Sequence, residues 1–133
     1  MRQIFVNLPV ADVAASREFF AKLGFTFNET FSDHQTASMV VEENIVVMLL
    51  EHKRFQDFIT GDIAPRETTE VITCLSAASR EEVDRLVAAA LAAGGSEWQP
   101  AQDHGFMYGH SFRDLDGHAW ELAYMDMDAM PQG

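Results

Sequence analysis

Asp114-Leu115-Asp116-Gly117-His118-Ala119-Trp120-Glu121 is the stretch from which the architecture can be read. Asp114, Asp116 and Gly117 are turn chemistry: short acceptors that bond their own backbone, then a residue free to take unusual dihedrals. From His118 to Met125 the chain reads as a strand, because Trp120, Leu122 and Tyr124 recur with period two as an apolar face. The same alternation sends Glu121 to the opposite face. Before the turn, Phe106 to Phe112 reads as the partner strand of a hairpin.

Upstream, Val71 to Leu75 is a β-branched run, and Ser79-Arg80-Glu81-Glu82 is a capping-box sequence. Val83, Leu86, Val87, Ala90 and Leu91 follow at helical spacing until Gly94-Gly95 ends the helix. With a short strand near Glu97, this half has the order β-α-β-β-β. The first half repeats it. Ile4, Val6, Leu8 and Val10 alternate as a strand, Asp12 is placed as an N-cap, and Val13, Phe19, Phe20 and Leu23 stripe a helix closed by Gly24. Strands are expected at Phe25–Phe31, Thr36–Val41 and Ile45–Leu50, the last two joined by Glu42-Glu43-Asn44. The two helix-ending glycines, Gly24 and Gly94, stand 70 residues apart.

The expected organisation is a single α+β domain over 1–133: a first unit at 1–51, a linker at 52–69, a second unit at 70–126 and a tail at 127–133. Phe55, Phe58 and Ile59 suggest a short helix in the linker, ended by Gly61 and Pro65. The tail, with Pro131 and Gly133, is expected to fray.

Composition narrows the functional classes. Asp plus Glu number 21 against 9 Lys plus Arg, with no basic stripe, which argues against nucleic acid as a partner. No run approaches the roughly 18–20 apolar residues that span a bilayer. One cysteine, Cys74, excludes an intrachain disulfide and fits a reducing, cytoplasmic setting. Its place inside a strand without basic neighbours reads as an inert, buried thiol. There is no phosphate loop, no Gly-x-Ser-x-Gly elbow, no His-Glu-x-x-His and no dinucleotide fingerprint.

Phe5-Val6-Asn7-Leu8-Pro9-Val10-Ala11-Asp12, a helix ending in Leu23-Gly24-Phe25, and the closing Asp-x-Asp-Gly turn with Glu121 four residues after Gly117 together resemble the vicinal oxygen chelate superfamily. That superfamily includes glyoxalase, bleomycin resistance and extradiol dioxygenase proteins. The resemblance implies paired βαβββ units forming an incomplete barrel around a central pocket, and a homodimer. It also implies that Phe5 and Asn7 face the cavity while residues 4, 6, 8 and 10 pack on helices. Phe27, Phe106 and Tyr108 would join Phe5 in an aromatic-rich pocket, and Met39, Met48 and Met107 are candidates for an adaptable apolar lining.

In metal-dependent members each unit supplies two ligands, usually His, Gln or Glu. Position by position, these fall at Phe5, at or beside Met48, near the start of the Val71 strand at Glu70 or Ile72, and at Glu121. Only Glu121, with Glu70 as a second choice, is a ligand type, short of the three or so that a catalytic metal needs. The expectation is therefore a small-molecule pocket without the usual complete site. A divalent Zn, Ni, Mn or Fe at an unorthodox site of Glu121, Glu70 and His104 is the alternative. Glu121 is the candidate catalytic base, with Phe5, Asn7, Met48, His104 and Tyr108 as substrate contacts. Three functions compete: a glyoxalase-like lyase or isomerase (or a dioxygenase), a module that binds a small aromatic or cationic compound as the bleomycin resistance branch does, and a structural homodimer with a vestigial cavity.

Overall fold

The computed structural model describes residues 1–129 and divides into two compact units, Met1–Pro65 and Arg66 onward. In the first, β1 (Ile4–Val10), α1 (Val13–Lys22), β2 (Thr26–Phe27), β3 (Thr36–Glu42) and β4 (Ile45–Glu51) form a four-stranded sheet of order β1-β4-β3-β2. β1 runs parallel to β4, and the other pairings are antiparallel. Asp12 caps α1 by accepting from the Ala15 N–H, as its position predicts. A second acceptor comes from β4, where the Glu51 carboxylate takes the Val13 N–H at 3.0 Å. The register puts Val10, Val47, Leu49, Ala37 and Met39 on one face, all fully buried, while Phe19 and Phe20 form the buried side of α1.

One expected strand is shorter than predicted. Phe25–Phe31 pairs only at Thr26–Phe27 before becoming a 3-10 turn at Glu29–Phe31. Local bonds win there: Asn28 accepts the Thr30 N–H, and Ser32 Oγ donates to the Asn28 carbonyl. The linker holds a helix, α2 (His52–Gln56), but it contains only Phe55 of the three residues that suggested it and ends before Phe58 and Ile59.

The second unit contains β5 (Ile72–Ser76), α3 (Arg80–Ala92), β6 (Ser96–Glu97), β7 (Gln102–Asp103), β8 (Met107–Arg113) and β9 (Ala119–Met125). Its sheet order is β5-β9-β8-β6, with β7 also paired to β8. As in the first unit, the opening strand is parallel to the closing one. The capping box forms: Ser79 Oγ accepts the Glu82 N–H, and the Glu82 carboxylate accepts from Ala78 N–H, one residue before the cap. Val83, Leu86, Val87 and Ala90 are buried on α3. The sheet contributes Phe112 and Trp120, a stacked cross-strand pair with centroids 6.5 Å apart.

The closing turn is held from inside. Asp114 is 2% exposed and accepts three N–H groups: those of Asp116 and His118 on Oδ1, and the Trp120 indole on Oδ2 at 2.9 Å. Burial pushes its carboxyl up, against the opposing pull of His118 and these donors. Gly117 has φ +87°, and a Cβ there would lie 2.7 Å from Arg66 Cγ, so both backbone and space require glycine. The tail opens with a 3-10 turn at Met127–Ala129; the fraying expected around Pro131 and Gly133 falls outside the described residues.

Candidate functional site

The hairpin β8–β9 fixes the site. Cross-strand pairs alternate between Tyr108–Tyr124, His110–Leu122 and Phe112–Trp120 on the α3 side, and Met107–Met125, Gly109–Ala123 and Ser111–Glu121 on the other. β5 adds Ile72 and Cys74 to the second face, Cys74 standing level with Glu121. Over this face lies a cavity of about 290 Å³. Its sheet side is Ile72, Met107, Gly109, Ser111 and Glu121, with His110 at its border. Trp98, Gln99, Pro100 and Gln102 enclose it from the connection between β6 and β8.

Glu121 is half-buried and accepts from the Cys74 thiol, Sγ to Oε1 at 3.5 Å. Partial burial first, then the charge and hydrogen bond of Glu121, push the Cys74 thiol up to about 11. Cys74 is thus a neutral donor near pH 7, as an inert thiol should be, although it is exposed rather than buried as expected. Ser111 is already engaged with its own wall: its Oγ accepts the Gln99 N–H at 3.1 Å and faces the Gln99 carbonyl at 3.4 Å. Arg113, on the same face, holds its guanidinium over the Trp98 ring and toward Thr69.

The other candidates lie within one unit or the other. Phe5, Asn7 and Met48 share one face of the first unit's sheet, away from the buried Val10–Val47–Leu49 face. Asn7 and Met48 are register partners with Ser38, and the Asn7 amide donates to the Phe5 carbonyl at 3.4 Å. Tyr108 does not line the Glu121 cavity. It sits on the α3 side, where its hydroxyl donates to Asp84 at 2.5 Å and is held above its usual pKa by that bond. Phe27 belongs to the row of Met39, itself fully buried, and carries the Arg17 guanidinium 4.8 Å from its ring centroid. His104 is exposed in the turn after β7, its ring 3.4 Å from the Gln102 amide oxygen and outside the cavity lining. Glu70 is exposed and precedes β5, where Ile72 takes the cavity-facing position.

These placements test the chain against the metal that the resemblance implies. The corresponding positions carry Phe5, Met48, Ile72 and Glu121: two hydrocarbons, a soft thioether and one carboxylate. Among the described residues, no three His, Cys, Asp or Glu side chains form a group able to hold an ion. The donor set does not fit the superfamily's metal. Nor, among these residues, is any helix long and apolar enough to cross a membrane.

The cavity lining includes Glu121 and Met107, which the sequence singles out, and Ser111, Gln99 and Gln102, which it does not. Ser111 was recoverable from the Asp114–Gly117 turn, which sets it opposite Glu121. The enclosing segment carries no periodicity, and its position depends on tertiary contacts.

Residues 2–42 match the family model described as bleomycin resistance protein-like N-terminal. A hypothetical protein of S. aureus of known structure is 31% identical over 93% of this chain and 94% of its own, with a TM-score of 0.79. A glyoxalase-related enzyme from Fulvimarina pelagi shares the fold at 21% identity, with 100% and 94% of the two chains covered and a TM-score of 0.79. The genomically encoded fosfomycin resistance protein FosX of Listeria monocytogenes shares it at 19% identity, 97% coverage of both chains and a TM-score of 0.69. No curated protein sequence matches. The chain thus has the α+β fold of paired βαβββ units that glyoxalase, bleomycin resistance and dioxygenase proteins share, and its residues 2–42 carry the bleomycin resistance protein-like N-terminal pattern.

Proposed function

We propose that this protein binds a small organic molecule in the Glu121 cavity, with that carboxylate as the polar anchor and without the superfamily's usual complete metal site. The observation that carries the reading is the cavity itself: about 290 Å³ bounded by Trp98, Met107, Ile72 and Pro100, with a strand-fixed carboxylate among them. The lining is evenly mixed, apolar from Ile72, Trp98, Pro100 and Met107 and polar from Gln99, Gln102, Ser111 and Glu121, and the size lies just below the range of drug-sized sites, which suits a small ligand. Trp98 offers a ring for stacking and Glu121 an acceptor, which suits an aromatic or cationic compound. The bleomycin resistance-like pattern of residues 2–42 and the fosfomycin resistance protein of similar fold point to small organic molecules too.

A lyase or isomerase reaction in this cavity would use Glu121 as its base, since the strand aims that carboxylate into the space where a substrate sits. The cytoplasmic location and homodimer expected from the sequence belong to the same proposal. A thermal-shift screen of small aromatic and amine-bearing fragments tests it. Fragments should raise the melting temperature of the wild type and lose most of that effect in Glu121→Gln. No shift with any fragment, or equal shifts in both proteins, would overturn the reading.

A further inference from the structure

The enclosing wall of the cavity, residues 98–106, is held by few contacts. It pairs with β8 through the two residues of β7, and the Gln99 N–H reaches Ser111 Oγ. The Arg113 guanidinium lies over the Trp98 ring, the Phe106 carbonyl accepts the Asp126 N–H, and a further anchor comes from the other side of the sheet. At the first turn of α3, Arg80 forks onto both carboxylate oxygens of Asp103, at 2.7 and 3.0 Å, and donates to the Gly105 carbonyl at 2.9 Å. The guanidinium lies 5.1 Å from the Tyr108 ring centroid, and the Tyr108 hydroxyl is tied back to Asp84 of α3. Asp103 also accepts the Gly105 N–H at 2.9 Å, closing the turn around the clasp.

Strand alternation turns this clasp into a control on the cavity. Adjacent residues of β7 point to opposite faces, so Asp103 engages α3 while Gln102 lines the cavity. We propose that Arg80 is a positioning residue that acts through Asp103: it holds the 98–106 strap over the Glu121 cavity, and its release opens the cavity to ligand. The inference rests on that cavity being the binding site for its functional meaning, while the motion itself is testable without ligand. Both partners of the ion pair are partly solvent-exposed, so the clasp is weak and screened by salt. A weak latch is suited to a wall that must open in ordinary exchange.

Trp98 reports on the strap, and Trp120, at 1% exposure, contributes a shielded background that the Trp98→Phe variant measures. Acrylamide quenching of ligand-free protein is the experiment. The Trp98 quenching constant should rise about two- to fivefold in Arg80→Gln, the scale on which losing an exposed pair shifts an opening equilibrium. Asp103→Asn should give the same rise, and the double variant no more than either. Raising salt from 20 mM to 0.5 M should increase quenching in the wild type and leave Arg80→Gln unchanged. Urea midpoints should stay near wild type, separating strap release from unfolding; should Arg80→Gln prove unstable, Asp103→Asn, which leaves α3 intact, decides alone. Unchanged quenching in Asp103→Asn, or a salt response that persists without Arg80, would overturn the proposal while leaving the ligand screen unaffected.

Discussion

Replacing Glu121 by Gln should make Cys74 more reactive, by an amount that follows from how the two groups face each other. The thiol is pushed from 9.0 to about 11 by partial burial, then by the neighbouring carboxylate charge and the hydrogen bond it accepts. At pH 8 such a thiol is ionised in only about one molecule in a thousand, and attack by the thiolate is correspondingly slow. The Gln amide removes the charge and leaves the burial. Since burial is the largest cause, at most about one pKa unit should be recovered, up to about a tenfold faster reaction. Cys74 is the single cysteine, so the second-order rate with an aromatic disulfide reagent reads it directly. The pH–rate profile should keep its shape and move to lower pH. An unchanged or slower rate in Glu121→Gln, with the fold intact by circular dichroism, would mean that the carboxylate does not face Cys74 and that the cavity geometry is wrong.

The Asp103 carboxyl is held at about 2, chiefly by its hydrogen bond to Arg80 and the Gly105 N–H. A depressed carboxyl stabilises the fold above its unfolded value of 3.8, and that contribution is lost as pH falls from there through 2. Carbon-detected NMR titration should show this low value rise toward 3.8 in Arg80→Gln; a value that stays at 2 would assign the depression to the turn alone. Asp114→Ala deletes the acceptor shared by the Asp116 and His118 amides and the Trp120 indole. It should cost about 2–4 kcal/mol in urea unfolding, since orphaned buried donors are expensive. A loss below half a kcal/mol would mean that the turn is held mainly by other contacts.

The fold was legible because its signals are local and doubled. The alternation of Trp120, Leu122 and Tyr124 placed Glu121 on the far face, and the structure has it there. Caps at Asp12 and Ser79 were readable from short-range chemistry. Where local bonds competed with pairing, the reading failed, as at Asn28, whose side chain turns the chain into a 3-10 segment. Tyr108 shows the limit for the site. Its residue type suits a pocket, but the same alternation that aims Glu121 inward assigns Tyr108 to the α3 side. Gln99 and Gln102 could not be found from pattern, because a two-residue strand and a clasp from a distant helix put them in place.

Whether a small molecule binds against Glu121 in the second unit is decided by NMR mapping of a fragment that raises the melting temperature. Ligand-induced shifts should concentrate at the Trp98 indole N–H, the Met107 methyl and the Ser111 and Glu121 amides, with saturation that weakens at least tenfold in Glu121→Gln. Saturable shifts centred elsewhere, with those four signals unmoved, would contradict binding there.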